Sequence, residues 1–399
     1  MKMNNKDIAD IRKRFKLDTD LLKIAEIYNV YIQGEATEIF HEDSRSFSLL
    51  DREQQELFLA SFKKVLGGKL DAKLFEVKFL PQEEGQADHT QRLLYEGLET
   101  EDAAEWQENM QRIALKMIEE KPFEKDMVIT FIRGTYFKTT KREADETEIN
   151  MRDEVYTTPF ILGSMNQTEL PKSSLVFDFA KKEFKSNILL DPVIKLTSPV
   201  GGFLFPGFTD NAADVNHIVY SASKANKPDF QFIENVLNGD EIITAEEDKA
   251  VFEEIVKAVI GEEVNSRTLA GLYDEINLML EVEKEAEKEE VEIPVLDTVE
   301  VTRVLKASGV KEVSAEKVER AFQQVVEDKN YEMKASHVVP SYASKSIKIN
   351  TKVAEIKISP QDLRYVKGVN YNGKRCILIE VEEDTMIEGF KLLEEEQLE

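Results

Sequence analysis

The sequence predicts an α+β fold: an antiparallel β-meander with packed helices, followed by a smaller C-terminal α+β domain. Three observations carry this. Residues 126–179 hold apolar runs rich in β-branched and aromatic residues, as strands do. Capped stretches with apolar residues three and four apart recur on both sides of them. An acidic, low-complexity run at 281–296 sets the last hundred residues apart. The 399 residues suffice for two or three domains, and an apolar fraction of 42% builds real cores rather than a disordered chain.

The elements follow in order. In "NNKDIADIRKRF", Ile8, Ile11 and Phe15 share one helical face. Its cluster of Arg12, Lys13, Arg14 and Lys16 suits the negative end of the helix dipole without invoking an anion. In "DREQQELFLASFKKVLGG", Asp51 caps a helix, Phe58, Phe62, Val65 and Leu66 form its stripe, and Gly67-Gly68 ends it. "KLFEVKFL" at 73–80 is a strand, and helices follow around 89–98 and 101–120. "DMVITFIRGTYF" and "EVYTTPFILG" are strands, with Pro159 indicating an edge or a bulge. In "SLVFDFAKKEFKSN", Leu175, Phe177 and Phe179 alternate onto one side and "AKKE" reads as a hairpin turn.

A meander over about 126–200 therefore leads into a helical segment over about 210–280, and together they form an N-terminal region spanning 1–280. Within that segment, Thr244 and Glu247 have capping-box spacing and Val251, Ile255 and Val259 continue the stripe to Gly261. The run 281–296 is the expected linker, and 297–399 the C-terminal α+β domain. That domain opens with helices over 297–309 and 314–326, continues with strands at Ile347/Ile349 and Ile356/Ile358, and has a hairpin turning at Asn372-Gly373.

The charge narrows the partners. With 78 acidic against 52 basic residues the formal net charge is −26, which disfavours nucleic acid and anionic membranes. No run approaches the ~18–20 apolar residues of a membrane span. The opening residues lack a signal-peptide pattern, so the expected location is the cytoplasm. Cys376 is the single cysteine, which rules out an intrachain disulfide and a thiolate metal cluster.

Several motifs imitate catalytic ones. "YSASKA" places Tyr220, Ser221 and Lys224 at spacings used by short-chain dehydrogenases (Tyr-x-x-x-Lys) and by Ser-x-x-Lys acyl enzymes. The first needs a glycine-rich dinucleotide turn that the chain lacks, and the second needs further elements that do not follow. "GVNYNGKR" at 368–375 nearly spells a P-loop, but Arg375 stands where Ser or Thr should hold magnesium, and the run sits on a hairpin. All three readings are rejected.

Two features remain. Asp210, Asp214 and His217 fall on one face of an expected helix and offer two oxygens and a nitrogen to a divalent cation; a solvated acidic helix face explains them equally well. "SPVGGFLFPGFTDN" gathers Gly201, Gly202, Phe203, Phe205, Pro206 and Phe208 into an aromatic loop, read either as a hydrophobic plug or as a ligand or partner surface.

Three stretches, "NNKDIADIRKRF", "GGFLFPGFTDNAADV" and "VNYNGKRCILIEV", in this order and spacing, resemble a Gram-positive bacterial family designated Domain of Unknown Function 4317. The resemblance spans essentially the whole chain. It implies no activity, cofactor or catalytic residue, and it implies that "YSASKA" is a chance hexapeptide. No cofactor is expected. The expected function is a cytosolic, non-enzymatic protein-binding or adaptor role, with a small-molecule ligand also compatible. The alternative is a hydrolase-like enzyme with dispersed carboxylates, assisted by a divalent cation.

Overall fold

The computed structural model describes residues 3, 5–34, 38–82, 86, 88–120, 122–139, 155–171, 174–187, 191–209, 212–261, 265–285, 294–339, 347–371, 373–381, 386–387 and 390–391. Its fold class is α+β, and it divides into two compact units, Met1–Ile242 and Ile243–Glu399.

The first unit is built on one antiparallel sheet between two helical layers. In chain order its elements are α1 (Asn5–Arg14), β1 (Leu22–Gln33), β2 (Glu38–Ser46), α2 (Arg52–Val65), β3 (Leu74–Lys78), α3 (Thr90–Glu99), α4 (Ala103–Glu120), β4 (Met127–Thr139) and β5 (Val155–Glu169). Then come β6 (Ser174–Asp178), β7 (Glu183–Asn187), β8 (Val193–Ile194), β9 (Gly201–Phe205), β10 (Gly207–Thr209), β11 (Ala212–Asp214) and β12 (His217–Ser221). The main sheet runs β2-β1-β4-β5-β9-β12-β3, with β8 added beside β5.

Period-two alternation sends successive side chains to opposite faces, and each face meets its own helices. Tyr28, Phe131, Ile161, Phe203, Phe205 and Tyr220 pack with Trp106, Met110 and Ile113 of α4 and Leu93 of α3. Ile27, Ile132, Leu162, Leu204 and Val219 pack with Ile8 and Ile11 of α1 and Phe62 of α2. The helix stripes and the strand alternation therefore describe the same two interfaces from opposite sides. Asp51 caps α2, as expected, and the structure completes a capping box with Gln54.

Two expectations are corrected, and the strand expected at 73–80 is borne out. The meander does not extend through 174–187, because β6 and β7 pair only with each other in a separate two-stranded hairpin. The strand at 73–80 belongs to the main sheet but forms its far edge, against β12. The segment from 210 is not helical at its start, since 212–214 and 217–221 are strands. Valine, isoleucine and tyrosine in "HIVYS" alternate onto both helical layers, and that demand outweighs local helix propensity. Pro159 pairs with Thr135 in β5 beyond the end of β9, where the strand has a neighbour on one side only, as proline requires.

The second unit gathers α5 (Ala245–Ile260), α6 (Ser266–Glu285), β13 (Val295–Leu296), α7 (Thr298–Ala307), α8 (Ala315–Val325), β14 (Met333–Lys334) and α9 (Ala335–Val338) around one core. Thr244 caps α5 in a capping box with Glu247. Hairpins follow: β15 (Ile347–Asn350) with β16 (Glu355–Ile358), β17 (Val366–Tyr371) with β18 (Lys374–Ile379), and β19 (Met386–Ile387) with β20 (Phe390–Lys391). Gly373 takes φ +74° at the β17–β18 turn, while Asn372 lies outside the described residues. The units divide at 242/243, whereas the sequence placed its linker at 281–296. Phe252 and Ile255 of α5 and Leu272 and Ile276 of α6 share a core with Val301 and Phe322, which draws those helices into the C-terminal unit.

Candidate functional site

The aromatic segment read as a loop is the interior of the sheet. Gly201, Gly202, Phe203 and Phe205 lie on β9, hydrogen-bonded to β5 on one side and β12 on the other, and Phe203 and Phe205 are wholly buried. Glycine is required there by close approach: a Cβ on Gly202 would collide with the Gly163 carbonyl oxygen and lie 2.8 Å from Val65 Cγ1. Pro206 follows in a cis peptide, and Phe208 on β10 packs against the Tyr136 ring. Phe203 and Phe205 therefore offer no free surface, whereas Phe208 keeps 9% exposure and lines a small pocket with Ile11, Tyr136 and Thr158.

Of the expected cation-binding set, Asp214 and His217 lie together, on a turn between strands rather than on a helix face. Asp210 lies outside the described residues. Asp214 ends β11 and His217 starts β12. Asp214 Oδ1 accepts the Asn216 N–H at 2.9 Å and Oδ2 lies 2.6 Å from His217 Nδ1. Burial pushes the Asp214 carboxyl up, but the Asn216 amide and the His217 ring outweigh it and hold it below the usual carboxylate range. The pair closes a turn. Among the described residues, no three His, Cys, Asp or Glu side chains come together as a metal site would need.

The "YSASKA" residues separate as well. Tyr220 is buried on β12, its hydroxyl accepting the Asp229 N–H at 3.2 Å, and burial raises its pKa to about 12. Ser221 donates to the Val65 carbonyl at 2.7 Å, and Lys224 is exposed. A phenol raised this far is a poor proton shuttle near neutrality.

Two polar clusters escape sequence reading because their members are distant in the chain. Lys116 of α4 donates to the Asp88 carbonyl at 3.1 Å, Thr90 Oγ1 at 2.8 Å and Asn238 Oδ1 at 2.6 Å, using all three ammonium protons. Burial lowers its pKa to about 8, against the opposing pull of Asp88. In the second unit Asp248 accepts the Tyr331 hydroxyl at 2.9 Å, and its Oδ2 lies 2.5 Å from His337 Nδ1. Burial first, then Asp248, pushes the Tyr331 pKa well up. An aspartate orienting a histidine is a catalytic pattern, but the His337 ring is only 1% exposed, so substrate has no approach. Both clusters tie elements together.

The hairpin β6–β7 has the opposite character. Phe177 faces Phe184 across the strands and Leu175 faces Ser186, so these side chains share one surface. Phe177 packs edge-to-face with both Phe179 and Phe184, ring centroids 5.2 Å apart in each case. Yet Leu175 is 71% exposed, Phe177 41%, Phe179 85% and Phe184 72%. The other face carries Val176 beside charged residues, with Lys185 bonded to Asp178 at 2.7 Å. Asp178 Oδ1 also accepts the Ala180 and Lys181 N–H groups at 3.0 and 3.1 Å, while Lys182 takes φ +55°. Lys185 and then the Lys181 amide hold the Asp178 carboxyl below its usual range. The turn is thus fixed by its own hydrogen bonds, and the aromatic face is presented already formed.

A family model described as Domain of unknown function (DUF4317) matches residues 3–390, and the chain belongs to that family. Among the curated proteins compared, none matches it. Among the described residues, no helix is long and apolar enough to cross a membrane.

Proposed function

We propose that this DUF4317 chain is a non-enzymatic protein-binding protein acting in the cytoplasm, and that it makes contact through the aromatic face of β6–β7. One observation carries the reading. Four large apolar side chains on one small hairpin face water, and contiguous patches of that kind mark interaction sites. A two-stranded hairpin is also marginal in water unless something covers its apolar face. Preformed aromatic groups lose little conformational entropy on binding, which suits them as anchors.

The enzyme reading draws on one observation, the Asp248–His337 pair. Its burial favours a structural role, and the dispersed carboxylates supply no assembled set beside it among the described residues.

Capture from cell lysate tests the proposal. The immobilised chain is compared with a Phe179→Ser/Phe184→Ser variant whose circular dichroism is unchanged. At least one protein should be retained by the parent chain and lost by the variant. Identical capture profiles would remove the hairpin from the function.

A further inference from the structure

We infer that the occupant of the β6–β7 aromatic face is the same face of a second copy of this chain, giving a two-fold, hairpin-to-hairpin dimer. The inference rests on the protein-binding reading above and names its partner.

Shape comes first. A two-fold contact needs a self-complementary patch, and an apolar hairpin face is one, because rotation sets each end of the apolar strip against the other end of its copy. Phe179 at the turn, Phe177 and Phe184 in the middle and Leu175 toward the open end form a strip along the hairpin. Leu170 and Val193, at 72% and 50% exposure, flank the same segment in sequence. Laid antiparallel, each Phe179 meets the open end of its mate.

Area agrees. At 150–250 Å² for a fully buried aromatic, the exposed parts of Leu175, Phe177, Phe179 and Phe184 amount to roughly 500–600 Å² per copy. Two copies bury about 1,100 Å², at the low end of specific protein–protein interfaces. That supports a weak, concentration-dependent dimer.

Charge selects the location. Two copies at −26 each repel over most of their surfaces. Residues 174–187 run the other way: Lys181, Lys182 and Lys185 against Asp178 and Glu183, 3 − 2 = +1. The hairpin is therefore where two copies repel each other least.

Sedimentation equilibrium of the full chain from about 1 to 300 µM is the test. The weight-average mass should climb from monomer toward twice that value, and Phe179→Ser/Phe184→Ser should hold it at monomer throughout. Both side chains are exposed, so the variant keeps its fold, checked by circular dichroism. A parent chain that stays monomeric overturns the inference, and so does a dimer that survives the double substitution. If the chain is monomeric yet shows hairpin-dependent capture from lysate, the second copy is wrong while protein binding stands. If it is monomeric, captures nothing, and floats with vesicles of phosphatidylcholine and phosphatidylserine through Phe179 and Phe184, both readings give way to a lipid surface.

Discussion

Two aromatic segments lie within thirty residues of each other and meet opposite fates. "GGFLFPGF" at 201–208 is interior, with Phe203 and Phe205 at zero exposure. "LVFDFAKKEF" at 175–184 stands in water with Phe179 and Phe184 mostly exposed. Composition does not separate them; their neighbours do. β9 has a strand on each side and a helical layer on each face, whereas β6 and β7 have only each other. An aromatic run thus stabilises a fold only where non-local partners surround it, and elsewhere it becomes a surface awaiting one.

The sharpest break in that comparison is a matched pair of truncations. Phe203→Ala should cost the first unit about 3–5 kcal/mol in chemical denaturation. Phe179→Ala should change it by less than about 0.5 kcal/mol. Equal losses would mean that the hairpin is packed after all.

The next effect comes from adding atoms rather than deleting them. Gly202→Ala should destabilise by roughly 1–3 kcal/mol, because the new methyl meets the Gly163 carbonyl and Val65 with no room to give. Gly373→Ala, at a turn with open space around it, strains only its own backbone at φ +74° and should cost less.

Alkaline pH separates the units of polar support from the aromatic ones. Lys116 in the folded chain has its pKa lowered to about 8 by burial, below its unfolded value. Between the two values the unfolded chain binds more protons, so stability rises with pH. From pH 8 to about 9.5, short of the tyrosine range, the denaturation midpoint of the first unit should rise. Lys116→Met should flatten that slope. A midpoint that falls over this window in the parent chain and not in the variant would reverse the assignment.

Smallest in free energy, yet most telling about the surface, is hydrogen exchange in dilute solution. Amides of Phe203 and Leu204 should exchange only through global unfolding, and those of Phe177 and Phe184 through local opening. Protection at β6–β7 that grows with protein concentration would extend the contrast to the dimer.

Much of this architecture is legible in the sequence where the determinant is local. Asp51 with Gln54 and Thr244 with Glu247 announce their helices because a cap is made of neighbours three residues apart. The hairpin at 174–187 is legible for the same reason, since alternation and "AKKE" are both local. β1 was within reach: "LKIAEIYNVYIQ" carries Tyr28, Val30 and Ile32 at period two, but a register shift between Ile24 and Glu26 breaks the alternation earlier in the strand. The glycines of β9 read as loop punctuation because their reason lies elsewhere, in the Gly163 carbonyl and Val65. The candidate surface was readable as a hairpin and unreadable as a site. Exposure is decided by what fails to pack against a segment, and no local pattern carries that information.

The position of β3 has a consequence for how the chain is made. Leu74 to Lys78 pair with Ser221 to His217, so the edge of the sheet closes between segments about 140 residues apart. At ~5–20 residues per second of synthesis, Phe75 and Val77 leave the ribosome roughly 7–30 s before their partner strand exists. During that interval the nascent chain displays an unpaired strand edge and two unburied side chains to everything around it. A fragment ending before residue 217 stays in that condition permanently. Soluble expression of the first unit should therefore fail abruptly at that length rather than decline gradually as the chain is shortened.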